Sequence, residues 1–201
     1  MFTGLIDSIA RLATCTPHGA GLRVTIQHQL EGEAIAVGES IAVDGCCLTA
    51  LVPAEGRFDA ELSPETLSRT GGRQRWVAGR QLNLERSLRV GDRVGGHWVS
   101  GHADGLLRLN QMNRHAGGWI DLRLALETQQ RCWVIEKGSI ALDGVSLTVA
   151  RLGEDWIEVA LIPETLRATT LSLRQIGDEL IVEFDMIGKY AVQAARVAVA
   201  R

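Results

Sequence analysis

The sequence is short of aromatic residues. One Tyr and three Phe among 201 residues leave the core to Val, Ile and Leu, which are plentiful. It also lacks charge of one sign: a formal net charge of −3 gives no long-range attraction to nucleic acid or to anionic lipid. No apolar run approaches the roughly 20 residues of a membrane span. Met1-Phe2-Thr3-Gly4-Leu5 has no basic stretch leading into a long apolar one, so no secretory leader is expected, which points to the cytoplasm. Four cysteines are present, but Cys46 and Cys47 are adjacent and Cys15 and Cys132 stand alone. No Cys-x-x-Cys or His pair has zinc spacing, so the thiols read as reduced and no metal site is expected.

What the sequence does have is a repeat. Ser40-Ile41-Ala42-Val43-Asp44-Gly45-Cys46-Cys47-Leu48-Thr49 returns 99 residues later as Ser139-Ile140-Ala141-Leu142-Asp143-Gly144-Val145-Ser146-Leu147-Thr148. Self-similarity at this period states the architecture: two copies of one domain, each near the usual domain size of about 100 residues. Asp44-Gly45 and Asp143-Gly144 are residue pairs that accept positive φ at both centres of a tight hairpin turn. Period-two alternation in the arms puts Val145, Leu147 and Val149 on one face and Ser146 and Thr148 on the other. In the first copy Cys46, Leu48 and Ala50 face inward while Cys47 and Thr49 face outward. A small polar pair therefore projects from each sheet.

The same pattern continues on either side. Leu22, Val24 and Ile26 alternate with Arg23 and Thr25 as a half-buried strand. Arg57–Leu62 and Ile157–Leu161 are strands, each followed by Pro-Glu-Thr-Leu, a short-helix start with proline in the first turn. Gln81–Glu85 and Leu180–Glu183 close the two halves. Phe2-Thr3-Gly4 and Val99-Ser100-Gly101 are equivalent starts. Strands with turns every 8–12 residues predict an all-β chain of two antiparallel six-stranded Greek-key barrels. Residues 1–96 and 97–186 form the barrels. A helix follows over 187–201, with Ile187, Tyr190, Ala191, Ala194, Val197 and Ala198 at helical spacing. With no core of its own domain to meet, that helix is expected to serve oligomer contact.

Seven segments in order resemble the riboflavin synthase family. They are Met1-Phe2-Thr3-Gly4, Asp44–Thr49, Pro64–Leu67, Asn83-Leu84-Glu85-Arg86, Gly95-Gly96-His97 with Ser100-Gly101-His102, Lys137–Ile140, and Ile162–Leu166. The resemblance covers essentially the whole chain. It implies a transferase that binds two molecules of 6,7-dimethyl-8-ribityllumazine face to face and moves a four-carbon unit from one to the other. The products are riboflavin and 5-amino-6-(D-ribitylamino)uracil, with no metal and no cofactor. It also implies a homotrimer with sites between the N-terminal barrel of one subunit and the C-terminal barrel of the next. Association with lumazine synthase is a further partner it raises. A non-catalytic lumazine- or flavin-binding relative is the alternative; polar pairs intact in both halves favour the enzyme.

Carried across residue by residue, the resemblance assigns Gly4, Leu5, Ile6, Ser40, Cys47, Leu48, Thr49, Glu61, Leu62, Ser63, Pro64, Glu65 and Thr66 to the N-barrel side. It assigns Gly101, His102, Ala103, Lys137, Ser146, Leu147, Thr148, Ile162, Pro163, Glu164, Thr165, Leu166 and Arg167 to the C-barrel side. Phe2, Cys47, His102, Ser146 and Asp185 are the turnover candidates. Ser63 departs from the family, whose members commonly carry a larger apolar residue there.

The reaction needs a proton taken from the C7 methyl of one lumazine and a nucleophile added at C7 of the other. Since the heterocycle supplies its own electron sink, the protein mainly orients two rings and manages protons. Small hydroxyls and amides suit that task. Cys47 is a contact or proton-relay group, because an ordinary thiol of pKa about 8.5 is mostly protonated at neutral pH. Asp185 is either catalytic or the cap of the tail helix. Lys137 either offsets developing negative charge or sits in a turn, and His97 reads as structural. Glu65, Thr66, Glu164 and Thr165 either meet the ribityl hydroxyls or cap their helices.

Overall fold

The computed structural model describes residues 1–199, so the last two positions of the expected tail fall outside the described residues. Six antiparallel strands form each half. In the first they are β1 (Ser8–His18), β2 (Gly21–Gln27), β3 (Ser40–Val43), β4 (Cys46–Thr49), β5 (Arg57–Leu62) and β6 (Gln81–Arg86), with α1 (Pro64–Arg69) between the last two. In the second they are β7 (Gly105–Arg114), β8 (Ile120–Ala125), β9 (Ser139–Leu142), β10 (Val145–Leu152), β11 (Trp156–Leu161) and β12 (Glu179–Phe184), with α2 (Pro163–Ala168) in the matching place. A final helix, α3, spans Met186–Val199. Strand order is β4-β3-β6-β1-β2-β5 in one half, and the equivalent order closes on itself as β10-β11-β8-β7-β12-β9 in the other.

The hairpin turns form as their residues dictate: Asp44 and Gly45 have φ of 46° and 82°, Asp143 and Gly144 of 45° and 80°. The two barrels close differently for a local reason. β10 runs on to Leu152 and pairs with β11, whereas β4 stops at Thr49. Pro53 stands where the second copy has Leu152, and proline brings no N–H to a ladder. The first sheet has no β4–β5 ladder, and its two edges meet there through a Leu51 N–H donating to Asp59 O at 2.8 Å. β1 is one 11-residue strand whose register shifts between Leu12 and Thr14.

Each half has its own core. Leu12, Val24, Ile26, Ile41, Phe58, Trp76, Leu82 and Leu84 fill the first, and Leu107, Leu109, Leu122, Leu124, Ile140, Val159, Leu180 and Phe184 the second. Between them lies a small third cluster of Phe2, Ala42, Val99 and Ala141. Phe2 and Val99 exchange two backbone hydrogen bonds, at 2.8 and 3.1 Å. Below them the tips of the repeated hairpins meet so closely that a Cβ on Gly45 would lie 2.7 Å from Gly144 N. The repeat thus packs against itself at its most similar stretch. Buried Asp44 and Asp143 sit at this meeting point beside Arg75, Arg80 and Arg174.

Candidate active site

The segment that precedes each barrel lies across the other barrel. Ser146 N–H donates to Gly4 O at 2.7 Å, and Cys47 N–H donates to Gly101 O at 2.8 Å. Both glycines have positive φ, 76° and 83°. A Cβ at Gly4 would fall 2.6 Å from Ser146 Cβ, and one at Gly101 would fall 2.6 Å from Cys47 Cβ. Only glycine allows this backbone approach. Ile6 accordingly packs on the second core and Ala103 on the first. Gly4, Leu5 and Ile6 therefore belong with the C-terminal barrel and Gly101, His102 and Ala103 with the N-terminal one, the reverse of the expected grouping. Sequence order could not show the exchange, because it arises from how the starts cross at the Phe2–Val99 bridge.

Two buried carboxylates hold the crossed segments. Glu85, in β6, accepts from Thr3 N, Thr3 Oγ1 and Gly4 N at 2.6, 2.7 and 2.9 Å. Glu183, in β12, accepts from Ser100 N, Ser100 Oγ, Gly101 N and His102 N at 2.7 to 3.1 Å. Burial raises the Glu85 pKa, against the pull of the Thr3 and Gly4 hydrogen bonds. Reading from sequence assigned neither residue a role. Their signal was an acid recurring at one place in the two closing strands, Gln81–Arg86 and Glu179–Phe184.

Around Cys47 the outer face of β4 carries Thr49, whose partner across the hairpin is Ser40. Leu48 points into the core. Glu61 and Leu62 end β5, with Leu62 buried. Ser63 then caps α1, its Oγ accepting from Thr66 N at 3.1 Å. Pro64 opens that helix, and Glu65 pairs with Arg69 at 2.8 Å. Arg69 in turn donates to Asp104 O at 3.4 Å, which ties α1 to the crossing segment. His102 is exposed beside Gly101.

Around Ser146 the arrangement matches in backbone and differs in chemistry. Thr148 pairs with Ser139, and Leu147 is buried. Lys137 adopts φ of 66°, and its ammonium donates to Ala150 O at 2.8 Å, so its charge is turned onto the backbone. Ile162 precedes α2 without a side-chain cap where Ser63 caps α1, and Pro163 opens the helix. Glu164 forms an ion pair with Arg167, Thr165 O accepts from Thr169 Oγ1 at 2.7 Å, and Leu166 packs on the core.

The chief difference is His97. Its Nδ1 lies 2.7 Å from Ser146 Oγ, while its Nε2 is buried without a hydrogen-bond partner. Burial lowers its pKa below the ordinary 6.5, partly opposed by Asp185 and Glu183. Burial thus favours the neutral ring, which in the tautomer with its proton on Nε2 can take a proton from the hydroxyl. His97, read as structural, is the histidine placed on a candidate hydroxyl; its position beside Gly96, which also abuts Ser146, was the available clue. Asp185 caps α3, with Oδ1 accepting from Ile187 N at 2.9 Å, and its field reaches His97. Phe2 is fully buried beneath Gly101 and Cys47, so it positions the crossing segment and offers no surface to a ligand. Among the described residues no group of three or more His, Cys, Asp or Glu side chains has metal-binding geometry.

A family model described as a lumazine binding domain matches this chain twice, over residues 3–87 and 100–185. Riboflavin synthase from Bacillus subtilis is 36% identical over 191 residues, spanning 94% of this chain and 87% of the relative. That from Brucella abortus is 36% identical over 201 residues, spanning 98% of each. That from Mycobacterium tuberculosis is 37% identical over 205 aligned positions, spanning 98% of this chain and all of the relative. The solved structure of LumP complexed with 6,7-dimethyl-8-(1'-D-ribityl) lumazine has the same fold, with a TM-score of 0.78 at 16% identity over 92% of this chain and 99% of that one.

Proposed function

The chain belongs to the lumazine-binding family of riboflavin synthases, and on that footing we propose that it converts two molecules of 6,7-dimethyl-8-ribityllumazine into riboflavin and 5-amino-6-(D-ribitylamino)uracil. The observation that carries this reading is a pair of matched but unequal sites. Both barrels offer a crossing glycine and an outward polar pair, Cys47 with Thr49 and Ser146 with Thr148, while a neutral imidazole stands on Ser146 alone. Two like pockets suit a reaction between two copies of one substrate. The inequality lets one copy lose a proton while the other accepts a nucleophile.

Ser146 Oγ and His97 act as a proton-handling pair at the second barrel. Cys47, Thr49 and the amides of the crossing segment orient the ring at the first. Within one chain the Phe2, Val99, Ala42 and Ala141 cluster packs between the two hairpins, which favours stacking the two lumazines across a subunit boundary. The assembly is a homotrimer acting in the cytoplasm, with lumazine synthase as a further partner. Support for assembly comes from α3, which buries none of its described residues in the chain and leaves Ile187 66% and Tyr190 70% exposed. No helix among the described residues is long and apolar enough to cross a membrane.

Incubating the purified protein with 6,7-dimethyl-8-ribityllumazine tests the reading. Riboflavin and the pyrimidine are expected in equal amounts. Tight binding with no riboflavin after hours would instead leave a non-catalytic lumazine binder.

A further inference from the structure

Two clefts flank the junction of the halves and occupy matching places in the repeat. One, of about 360 Å³, is lined by Arg11, Gly79, Arg80, Gln81, Leu173 and Arg174. The other, of about 220 Å³, includes Gln74, Arg75, Asp178 and Glu179. Gly79 and Gly177, with φ of 92° and 98°, mark equivalent turns before β6 and β12. Arg80-Gln81 therefore stands where the second copy has Asp178-Glu179. The two clefts share Arg80 and Arg174 and differ in acids: three arginines and no acid line the first among the described residues, whereas in the second Asp178 and Glu179 offset Arg75, Arg80 and Arg174.

Arg174 and Arg75 are held by Asp143, at 2.8 and 2.6 Å. Arg80 has only a looser ion pair: its Nε is buried without a hydrogen-bond partner, 3.8 Å from Asp44 Oδ2, an oxygen that Arg75 and Arg174 also approach, at 3.6 and 3.9 Å. Burial, and then the Arg75 charge, hold the Arg80 pKa below its usual value. A guanidinium so placed is stabilised by an anion that supplies acceptors in a plane, as phosphate does.

We propose that the cleft between Arg11, Arg80 and Arg174 binds a small tetrahedral oxyanion, either inorganic phosphate or a phosphomonoester. Arg11 and Arg80 come from the first half and Arg174 from the second, so the bound ion ties the two halves together. Binding to the folded chain alone then stabilises it by mass action.

Thermal unfolding of the full-length protein is followed during titration with inorganic phosphate and, separately, with glycerol 3-phosphate, with sodium chloride matched for ionic strength. A saturable rise in Tm beyond the chloride control is expected with one or both. Phosphate alone identifies the free ion, and glycerol phosphate alone identifies a phosphomonoester. Arg80→Gln and Arg11→Gln should each weaken the response about tenfold, and Arg11, being exposed, decides the matter should Arg80→Gln fail to fold. A response equal to chloride, or one unchanged in both variants and so due to an adventitious ion only, overturns the proposal.

Discussion

His97 Nδ1 lies 2.7 Å from Ser146 Oγ, so an imidazole from the link between the halves is bonded to a hydroxyl on the second copy of the hairpin. The first copy has a thiol at that place, Cys47, against Gly101. This contact distinguishes two otherwise equivalent hairpin faces. Replacing Ser146 by Ala should lower riboflavin formation by about 100-fold or more while lumazine binding changes little. Steady-state kinetics paired with fluorescence titration separates the two effects; equal losses in both would make Ser146 a binding group only.

The same histidine gives stability a pH dependence of known sign. Burial lowers its folded pKa below 6.5, so as pH falls the unfolded chain takes up the proton first. Its contribution is whole above that value and is lost as pH falls toward the folded pKa. Urea unfolding between about pH 5 and pH 8 should show stability falling on the acid side, with a shallower slope in His97→Gln. Parallel slopes would place the titration elsewhere.

Gly4→Ala and Gly101→Ala should act on opposite barrels. Each forces a Cβ into the left-handed region, at about 1–2 kcal/mol, and within 2.6 Å of Ser146 or Cys47. Gly4→Ala should impair lumazine binding at the C-terminal barrel and Gly101→Ala at the N-terminal one. Titration of each variant for two sites checks this; loss of the same site in both would contradict the crossed arrangement.

Asp143 accepts from Arg75, Arg174 and Ile181 N, whereas Asp44 Oδ2 has no hydrogen bond. Asp143→Ala leaves two buried guanidiniums without their carboxylate and should cost about 3–5 kcal/mol. Asp44→Asn, which keeps the acceptor for Asn83 N, should cost clearly less. Comparing the two denaturation midpoints tests the ranking.

A chain ending at Gly188 removes most of α3, including exposed Tyr190 and Val197. Sedimentation should show the proposed trimer lost and riboflavin formation lost with it. An unchanged trimer would show that the helix is not the assembly element.

Much of the fold was legible locally. Asp-Gly twice at one spacing named both turns, because few residues tolerate positive φ at two successive positions. Alternation then put Cys47 and Ser146 outside and Cys46 inside, as burial shows. The length of β1 was not legible, since its register shift breaks the alternation that marks a strand. His97 and the two glutamates were also misjudged or passed over, because an isolated histidine or acid carries no period.

The sequence alone determined that there are two copies of one barrel, where their hairpins turn and which side chains face out, since each follows from backbone sterics and period within a few residues. Tertiary structure alone decided which start serves which barrel. Phe2 pairs with Val99 across the pseudo-symmetric junction, and Glu85 and Glu183 then hold Gly4 over Ser146 and Gly101 over Cys47. Buried amides must find acceptors wherever the packed chain offers them, and that choice is made between segments some 80 residues apart.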